Sequence, residues 1–320
     1  MGFTLIIDGN HLAHRCRHVF SLSNRGVDVS VTYGFLKVLY SYIDRWQPTS
    51  VIVCWDGGIP EFRRRALPTY KAHRHEGEDV LAYEDFLRQM NELTRILPLM
   101  GVVSVRQLGA EGDDLVYHAS RMVTDRVVIV SGDADLLQCI TKRVYVFAPA
   151  RNIVYDRTIF EETYGIPIRK FLDWKALQGD NSDGIPGVPG IGEKTATKLI
   201  NQYGEISGVF NAADGRSPKG RIEGKLGESI KHFGLDLLCR NIYLMALYAD
   251  RVGAKNAIFE AVYGIKPCNT KKFYGYLQSN AFLSLMDGEF GRLLSHLVEP
   301  ELDIYGMRMP VVGVGRFEYG

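Results

Sequence analysis

Nine carboxylates, Asp8, Asp56, Glu111, Asp113, Asp114, Asp133, Asp135, Asp180 and Asp183, stand out because most of them sit where an apolar run ends. FTLII runs into Asp8, SVIVCW into Asp56, and RVVIVSG into Asp133 and Asp135. Parallel strands of an α/β sheet present their carboxyl ends along one edge, where such folds place ligands. Acids far apart in sequence can therefore converge on one spot. Carboxylates at close range cannot all ionise unless their pKa values rise or a cation joins them. An oxygen-only donor set suits hard divalent ions such as magnesium or manganese.

Taken singly, the motifs are weak. Asp8 in IIDGN and Asp56 in VCWDGG occupy positions where aspartate also simply caps a helix. In GAEGDD, Glu111 and Asp114 are three apart and share a helical face. Acids at a helix N-terminus are also favourable to the macrodipole alone, so Asp114 is the weakest candidate ligand. Asp133 and Asp135 in SGDADLL project to the same side of extended backbone, where a cation would offset their repulsion. GDNSDG sets Asp180 three residues before Asp183. The ordered series is what separates these acids from ordinary caps.

The elements that must position them alternate. Strand signals lie at 3–7, 50–55, 102–105 and 126–130, and helix signals start near 11 and span 31–46, 85–97 and 112–123. Strands alternating with helices imply α/β architecture with a mostly parallel central sheet flanked by helices. Residues 57–81 break this pattern. The stretch is basic and carries Pro60 and Pro68, and a connection of that length is usually functional or disordered. After residue 155 the signals turn helical, at 168–177, 188–203 and 235–248, and beyond about 253 they fade.

The bulk properties narrow the class. The 320 residues are 46% hydrophobic and 23% charged, with no apolar run near the roughly 20 residues that span a bilayer. The N-terminus reads as lacking a secretory signal, because FTLII is short and meets Asp8 at once. Cys16, Cys54, Cys139, Cys239 and Cys268 are scattered without CxxC spacing, which points to reduced cytoplasmic thiols rather than zinc. The net charge of +1 hides segregation. Arg63, Arg64, Arg65, Lys71, His73, Arg74 and His75 crowd one stretch, and Arg216, Lys219, Arg221, Lys225 and Lys231 another. Basic runs are often just solvated surface; beside an acid cluster they also suit delivery of a polyanion to metal ions.

GVPGIGEKTATKLI reads as a helix-hairpin-helix at about 187–203. Gly187, Gly190 and Gly192 allow turns that expose backbone amides, and Lys194, Thr195, Thr197 and Lys198 follow. Such a turn binds phosphate without reading bases.

Together, the acid motifs and the hairpin resemble the 5′-nuclease superfamily, which includes flap endonucleases, the 5′-nuclease domains of bacterial DNA polymerase I and bacteriophage 5′→3′ exonucleases. LPTYKAHR is similar to the family's basic arch, and DGNHLAHRCRH resembles the first motif of the phage subgroup. WKALQGDNSDGIPGVPGIGEK matches the family's lysine, acid pair and hairpin as one block, and CRNIYLMAL resembles a late segment carrying an arginine. The match runs over about residues 3–250. It implies a PIN-like nuclease core over 1–170 with a basic arch or clamp at about 57–92, a helical region over 171–250, and a C-terminal extension over 251–320 of open role. The length leaves no room for a polymerase domain, so a stand-alone nuclease is expected.

The resemblance implies phosphodiester hydrolysis with two magnesium ions, for which manganese can substitute, and a potassium ion at the hairpin. It assigns Asp8, Asp56, Glu111, Asp113 and Asp133 to the first ion's surroundings and Asp135, Asp180 and Asp183 to the second. Lys71 and Arg74 become the non-acidic catalytic candidates, and Tyr70 a platform for an unpaired base. Arg15, Lys175 and Arg240 become phosphate contacts alongside the hairpin. The implied partners are DNA with 5′ ends, flaps or nicks, RNA–DNA hybrids at primers, and replication proteins. The implied setting is a monomer in the bacterial cytoplasm, phage-encoded, acting in replication and repair. Three other readings compete, one of them an RNA-directed nuclease of a related sheet fold, against which the hairpin argues for duplex DNA. A catalytically silent junction binder would have lost acids, and a phosphatase using Asp8 as nucleophile would leave the hairpin unexplained.

Overall fold

The computed structural model of the chain describes residues 2–73, 79–264, 268–286, 302–304 and 307–309. A six-stranded sheet lies at its centre, made of β1 (Phe3–Asp8), β2 (Ser50–Trp55), β3 (Val103–Arg106), β4 (Arg126–Val130), β5 (Val144–Ala148) and β6 (Ile153–Tyr155). The spatial order is β3-β2-β1-β4-β5-β6. The first five strands run parallel, and β6 closes the edge antiparallel to β5. The mostly parallel α/β sheet expected from the alternating signals is thus present, and β5 and β6 extend it beyond the four strands read from sequence. Chain order reverses between β1 and β4, the switch point at which such sheets open a crevice for ligands.

Helices α1 (Gly9–Val19), α2 (Ser30–Trp46), α3 (Glu61–Ala66), α4 (Val80–Ile96) and α5 (Gly112–Met122) alternate with the first four strands. Side chains alternate across each strand and so feed two apolar layers. Leu5, Ile7, Val51 and Val53 pack with Leu12 of α1, Phe35 and Leu39 of α2, and Phe86 and Leu93 of α4. Ile6, Ile52 and Cys54 face the other way, onto Leu115, Val116 and Ala119 of α5. Burial on both faces explains why the strands read as unbroken apolar runs. Helix α4 begins one turn before the signal at 85. Asp79 caps it by accepting from the Leu81 and Ala82 N–H groups, whereas Val80 and Leu81 are exposed and leave no stripe to read.

The helical region consists of α6 (Arg157–Tyr164), α7 (Phe171–Gln178), α8 (Glu193–Tyr203), α9 (Ile206–Ala213), α10 (Gly224–Phe233) and α11 (Leu235–Met245). A ribbon pairing Gly179–Asp180 with Ile185–Pro186 separates α7 from α8. Stacked and edge-on rings of Phe160, Tyr164, Phe171 and Trp174 knit the region together, and these rings belong to the α5-side layer of the core. The fading signal beyond 253 conceals two further helices. Helix α12 (Ala254–Tyr263) packs on α5 and β3. Helix α13 (Thr270–Ser279) sends Phe273 and Leu277 into the opposite layer, where Phe282 joins them. Each helix is short and buries only a few side chains, too few to print a periodic stripe.

The extension over 251–286 is therefore part of the core. Replacing the fully buried Phe273 by alanine should cost about 3–5 kcal/mol in urea-melt stability, as for other buried phenylalanines. A loss below about 1 kcal/mol would mean that α13 is not docked in solution.

Candidate active site

Asp8 ends β1 and caps α1. Its Oδ1 accepts from the His11 N–H at 3.0 Å and its Oδ2 accepts from Ser131 Oγ at 2.7 Å. In the sheet register Asp8 lies beside Cys54, and Ile7 beside Val130, so the residues leaving β2 and β4 emerge on either side of it. Asp56 follows β2. Its Oδ1 accepts from the Gly112 N–H at 2.6 Å, and its own N–H donates to Asn10 Oδ1 at 2.9 Å. After β4, Ser131 Oγ accepts from the Asp133 N–H at 3.0 Å, while Asp133 Oδ1 accepts from the Asp135 N–H at 2.8 Å. Ser131 and Asn10 are thus positioning residues that the sequence did not single out.

Of the first group of acids, Asp8 is buried and Asp56, Asp113 and Asp133 are partly exposed. Burial pushes the Asp8 carboxyl up to about 6, and the nearby charge of Asp56 adds to that rise. Burial also raises Asp113 well above the aspartate range, helped by the charges of Asp133, Asp8 and Asp56. Leaving β1, β2 and β4 and starting α5, these four acids are delivered to the sheet edge at the switch point.

A second group surrounds a buried arginine. Arg63, only 2% exposed, grips both oxygens of Asp114 at 2.7 and 2.9 Å, donates to Glu111, and donates from Nε to the Leu244 carbonyl at 2.9 Å. Asp114, the weakest candidate ligand, therefore has both its oxygens on Arg63. Burial alone would raise Glu111, but Lys71 and Arg63 outweigh it and hold its carboxyl below the usual range. Sequence reasoning saw Arg63 only as part of a basic run. Three consecutive arginines look alike, and tertiary contact alone selects the buried one.

Tyr70 and Lys71 also turn inward. The Tyr70 hydroxyl has one proton and two acceptors, Glu111 Oε2 and Asp183 Oδ2, each at 3.0 Å. Tyr70 is 4% exposed, which corrects the expectation of a ring open to an unpaired base. The Lys71 ammonium lies on Glu111 and is 3.6 Å from Asp183 Oδ2. Its backbone is left-handed, with φ +55°, and its N–H donates to the Asp183 carbonyl at 3.0 Å. That conformation costs a non-glycine residue about 1 kcal/mol or more. Asp183, grouped by expectation with Asp135 and Asp180, presents its carboxylate to Glu111's partners instead.

Lys175 is likewise not exposed to a phosphate. Its ammonium lies between Asp135 and Asp180, 2.9 Å from Asp180 Oδ2. Burial raises Asp135 to about 6 despite Lys175, whereas Asp180 stays low because Lys175 and Ser182 outweigh its burial. Arg15 is exposed and donates to the Tyr42 hydroxyl at 3.2 Å. Arg240 is half-buried, and its Nε and Nη2 find no partner among the described residues. Arg74 lies outside the described residues, as does part of the expected arch.

In the hairpin, Gly187 fits tightly: a Cβ there would lie 1.9 Å from the Gln178 carbonyl oxygen. Gly190, with φ +85°, and Gly192, which caps α8, face open space, and Lys194 is exposed beside the half-exposed Thr195. Thr197 points inward instead, accepting from the Trp174 indole at 2.9 Å.

Known proteins share this layout. The model described as the 5′-3′ exonuclease N-terminal resolvase-like domain matches residues 3–165, and that described as the 5′-3′ exonuclease C-terminal SAM fold matches residues 166–247. The chain belongs to the 5′-3′ exonuclease family. It is 35% identical over 240 residues to the thermostable DNA polymerase I of Thermus filiformis, covering 73% of this chain and 28% of that protein. It is 31% identical over 258 residues to DNA polymerase I of Mycobacterium tuberculosis, covering 77% of this chain and 27% of that protein. The chain thus spans about a quarter of the length of these curated relatives. Among solved structures, the bacteriophage T5 5′-exonuclease with bound zinc ions superposes with TM-score 0.66 at 22% identity, over 87% of this chain and 99% of that one. The catalytic core of Rad2 in complex with DNA substrate gives TM-score 0.57 at 15% identity, over 87% of each chain. At such identities these likenesses concern the fold.

The acids of this exonuclease-family site fit hard divalent ions. Every donor is a carboxylate oxygen, and Asp8, Asp113 and Asp133 carry no lysine or arginine among the described residues. Among those residues no three His, Cys, Asp or Glu side chains are already drawn together as a ligating set. Arg63, Lys71 and Lys175 hold the remaining acids instead, so a ligating set would form by rearrangement. No helix of the described chain is long and apolar enough to cross a membrane.

A pH dependence follows. Asp8 and Asp135, at about 6 against an ordinary 3.8, bind protons more tightly when folded than when unfolded. Their stabilisation is complete below the ordinary value and lost as pH rises through about 6. Glu111 and Asp180 act in the opposite sense, but only on acidification below their ordinary range. In EDTA the melting temperature should therefore fall between about pH 4 and pH 6 and level off above that, and magnesium should offset the fall. A flat profile in EDTA would show that these carboxylates are neutralised some other way.

Proposed function

We propose that the chain is a metal-dependent 5′-nuclease that hydrolyses DNA phosphodiesters at 5′ ends, nicks and flaps, including the RNA–DNA junctions of primers. The observation that carries this reading is the gathering of the strand-end and helix-start acids at the switch point between β1 and β4. Divalent ions held by Asp8, Asp56, Asp113 and Asp133, and by Asp135, Asp180 and Asp183, would lower the pKa of a water and offset charge on the leaving oxygen. Water adds to phosphorus, the 3′ oxygen departs, and the product end keeps a 5′ phosphate.

The protein's own groups do the positioning. Ser131, Asn10 and the Gly112 N–H fix the first acids, and Arg63 keeps Glu111 ionised and oriented. Lys71, once released from Glu111, supplies a cation to the phosphate undergoing attack. The exposed turn at Gly190 and Gly192 offers amides and the α8 N-terminus to the duplex backbone, with Lys194 and Thr195 beside them. Manganese in place of magnesium, a potassium ion at the hairpin and a monomeric state accord with this reading.

Asp133→Ala should abolish cleavage in magnesium while leaving flap-DNA binding in calcium intact, because the lost cap costs only about 1 kcal/mol. Near-normal turnover of that variant would sink the metal assignment. Lys71→Ala should lower turnover by two orders of magnitude or more, the scale on which single transition-state donors act, with little change in DNA affinity. A loss of affinity alone would make Lys71 a tether. Product lengths from 5′-labelled flap, nicked and blunt duplexes read out both.

A further inference from the structure

Lys175 is the buried basic group that the proposed reaction leaves without a task. It sits on α7, five residues before Asp180, and is 9% exposed. Its ammonium contacts Asp135 Oδ1 and lies 2.9 Å from Asp180 Oδ2. The other oxygen of Asp180 is already saturated: Oδ1 accepts from the Ser182 N–H at 3.0 Å, the Ser182 hydroxyl at 2.6 Å and the Asp183 N–H at 3.3 Å. Oδ2 is therefore the oxygen that Asp180 can offer to an ion, and it is the oxygen that Lys175 occupies.

We infer that Lys175 is a built-in counter-cation: its ammonium stands between Asp135 and Asp180 in place of a divalent ion and must withdraw before an ion can settle on those two carboxylates. The inference rests on the metal-dependent reading and adds a competitor to it.

Lysine suits the task physically. Its charge is compact and its stem has several rotatable bonds, so it can neutralise two carboxylates and still retreat, which a forked arginine gripping both oxygens of a partner does less readily. An ammonium and a divalent ion cannot share one pair of carboxylates without strong mutual repulsion. Loss of both would leave two partly buried carboxylates without a neutralising cation, which is costly. Arg63 offers the contrast. Its guanidinium is locked on Asp114, Glu111 and the Leu244 carbonyl, and it serves as a permanent neutraliser. The Asp135–Asp180 pair thus carries an exchangeable positive charge.

The test is titration of the full chain with manganese chloride alone, without DNA, by calorimetry, paired with thermal melts in EDTA and in magnesium. Lys175→Met keeps the stem and removes the charge. It should bind manganese roughly 10-fold more tightly than the wild type at the weaker site, the scale on which neighbours of a metal site act. Its melting temperature should be lower than wild type in EDTA and should rise further on adding magnesium. Lys175→Arg should restore the weak affinity, and Lys170→Met, which removes a half-buried lysine 3.4 Å from Glu205, should leave manganese affinity unchanged. If Lys175→Met proves too unstable in EDTA, Lys175→Gln, whose amide still donates, carries the same expectation. Manganese affinity equal to or below wild type in the neutral variants would overturn the inference, making Lys175 a support for the acids. Absence of manganese binding by wild type and variants alike would instead overturn the metal-dependent reading itself.

Discussion

Mutual repulsion among carboxylates crowded at one sheet edge is the constraint to which the rest of the site answers. Parallel strands end together, and here the ends of β1, β2 and β4, with the start of α5, all deliver acids to the switch point. In a medium less polar than water such charges cannot simply coexist. The chain meets the constraint in three ways. Asp8, Asp113 and Asp135 hold protons more tightly than free aspartate. Arg63 locks Glu111 and Asp114 permanently. Lys71 and Lys175 place ammonium groups on Glu111, Asp135 and Asp180. Each device removes negative charge by a different chemistry, and Asp8, Asp113 and Asp133, which carry no lysine or arginine among the described residues, are left for an ion.

The same constraint explains what the sequence could and could not disclose. Strand ends were legible because unbroken apolar runs stop abruptly at an aspartate, and the hairpin was legible because GVPGIGEK spells its glycines and its helix start. The direction in which a polar side chain turns left no such trace. Tyr70, Lys71 and Arg63 belong to a stretch that reads as basic surface, yet all three turn inward toward Glu111. Lys175 reads as a phosphate ligand and is found neutralising acids. Local composition records charge but not the tertiary partner that captures it. Helices α12 and α13 escaped for a different reason, since α13 seats itself mainly through Phe273 and Leu277, and two apolar anchors do not make a readable period.

These inward turns also tie the basic segment to the acids mechanically. Leu67 and Tyr70 pack with Ile185, Leu244 and Met245 in a small separate core, beside the loop that carries Asp180 and Asp183. The backbone of Lys71 is pinned to the Asp183 carbonyl, and Arg63 reaches the last turn of α11. The foot of the basic segment is thus built into the acid site through side-chain charge, one backbone hydrogen bond and an apolar cluster. Any change in how Glu111 and Asp183 are neutralised must be felt at Lys71 and Tyr70. Both residues belong to the basic stretch, so its described part and the neutralisation of the acids share the same contacts. A ligand that draws Lys71 off Glu111 would alter both together.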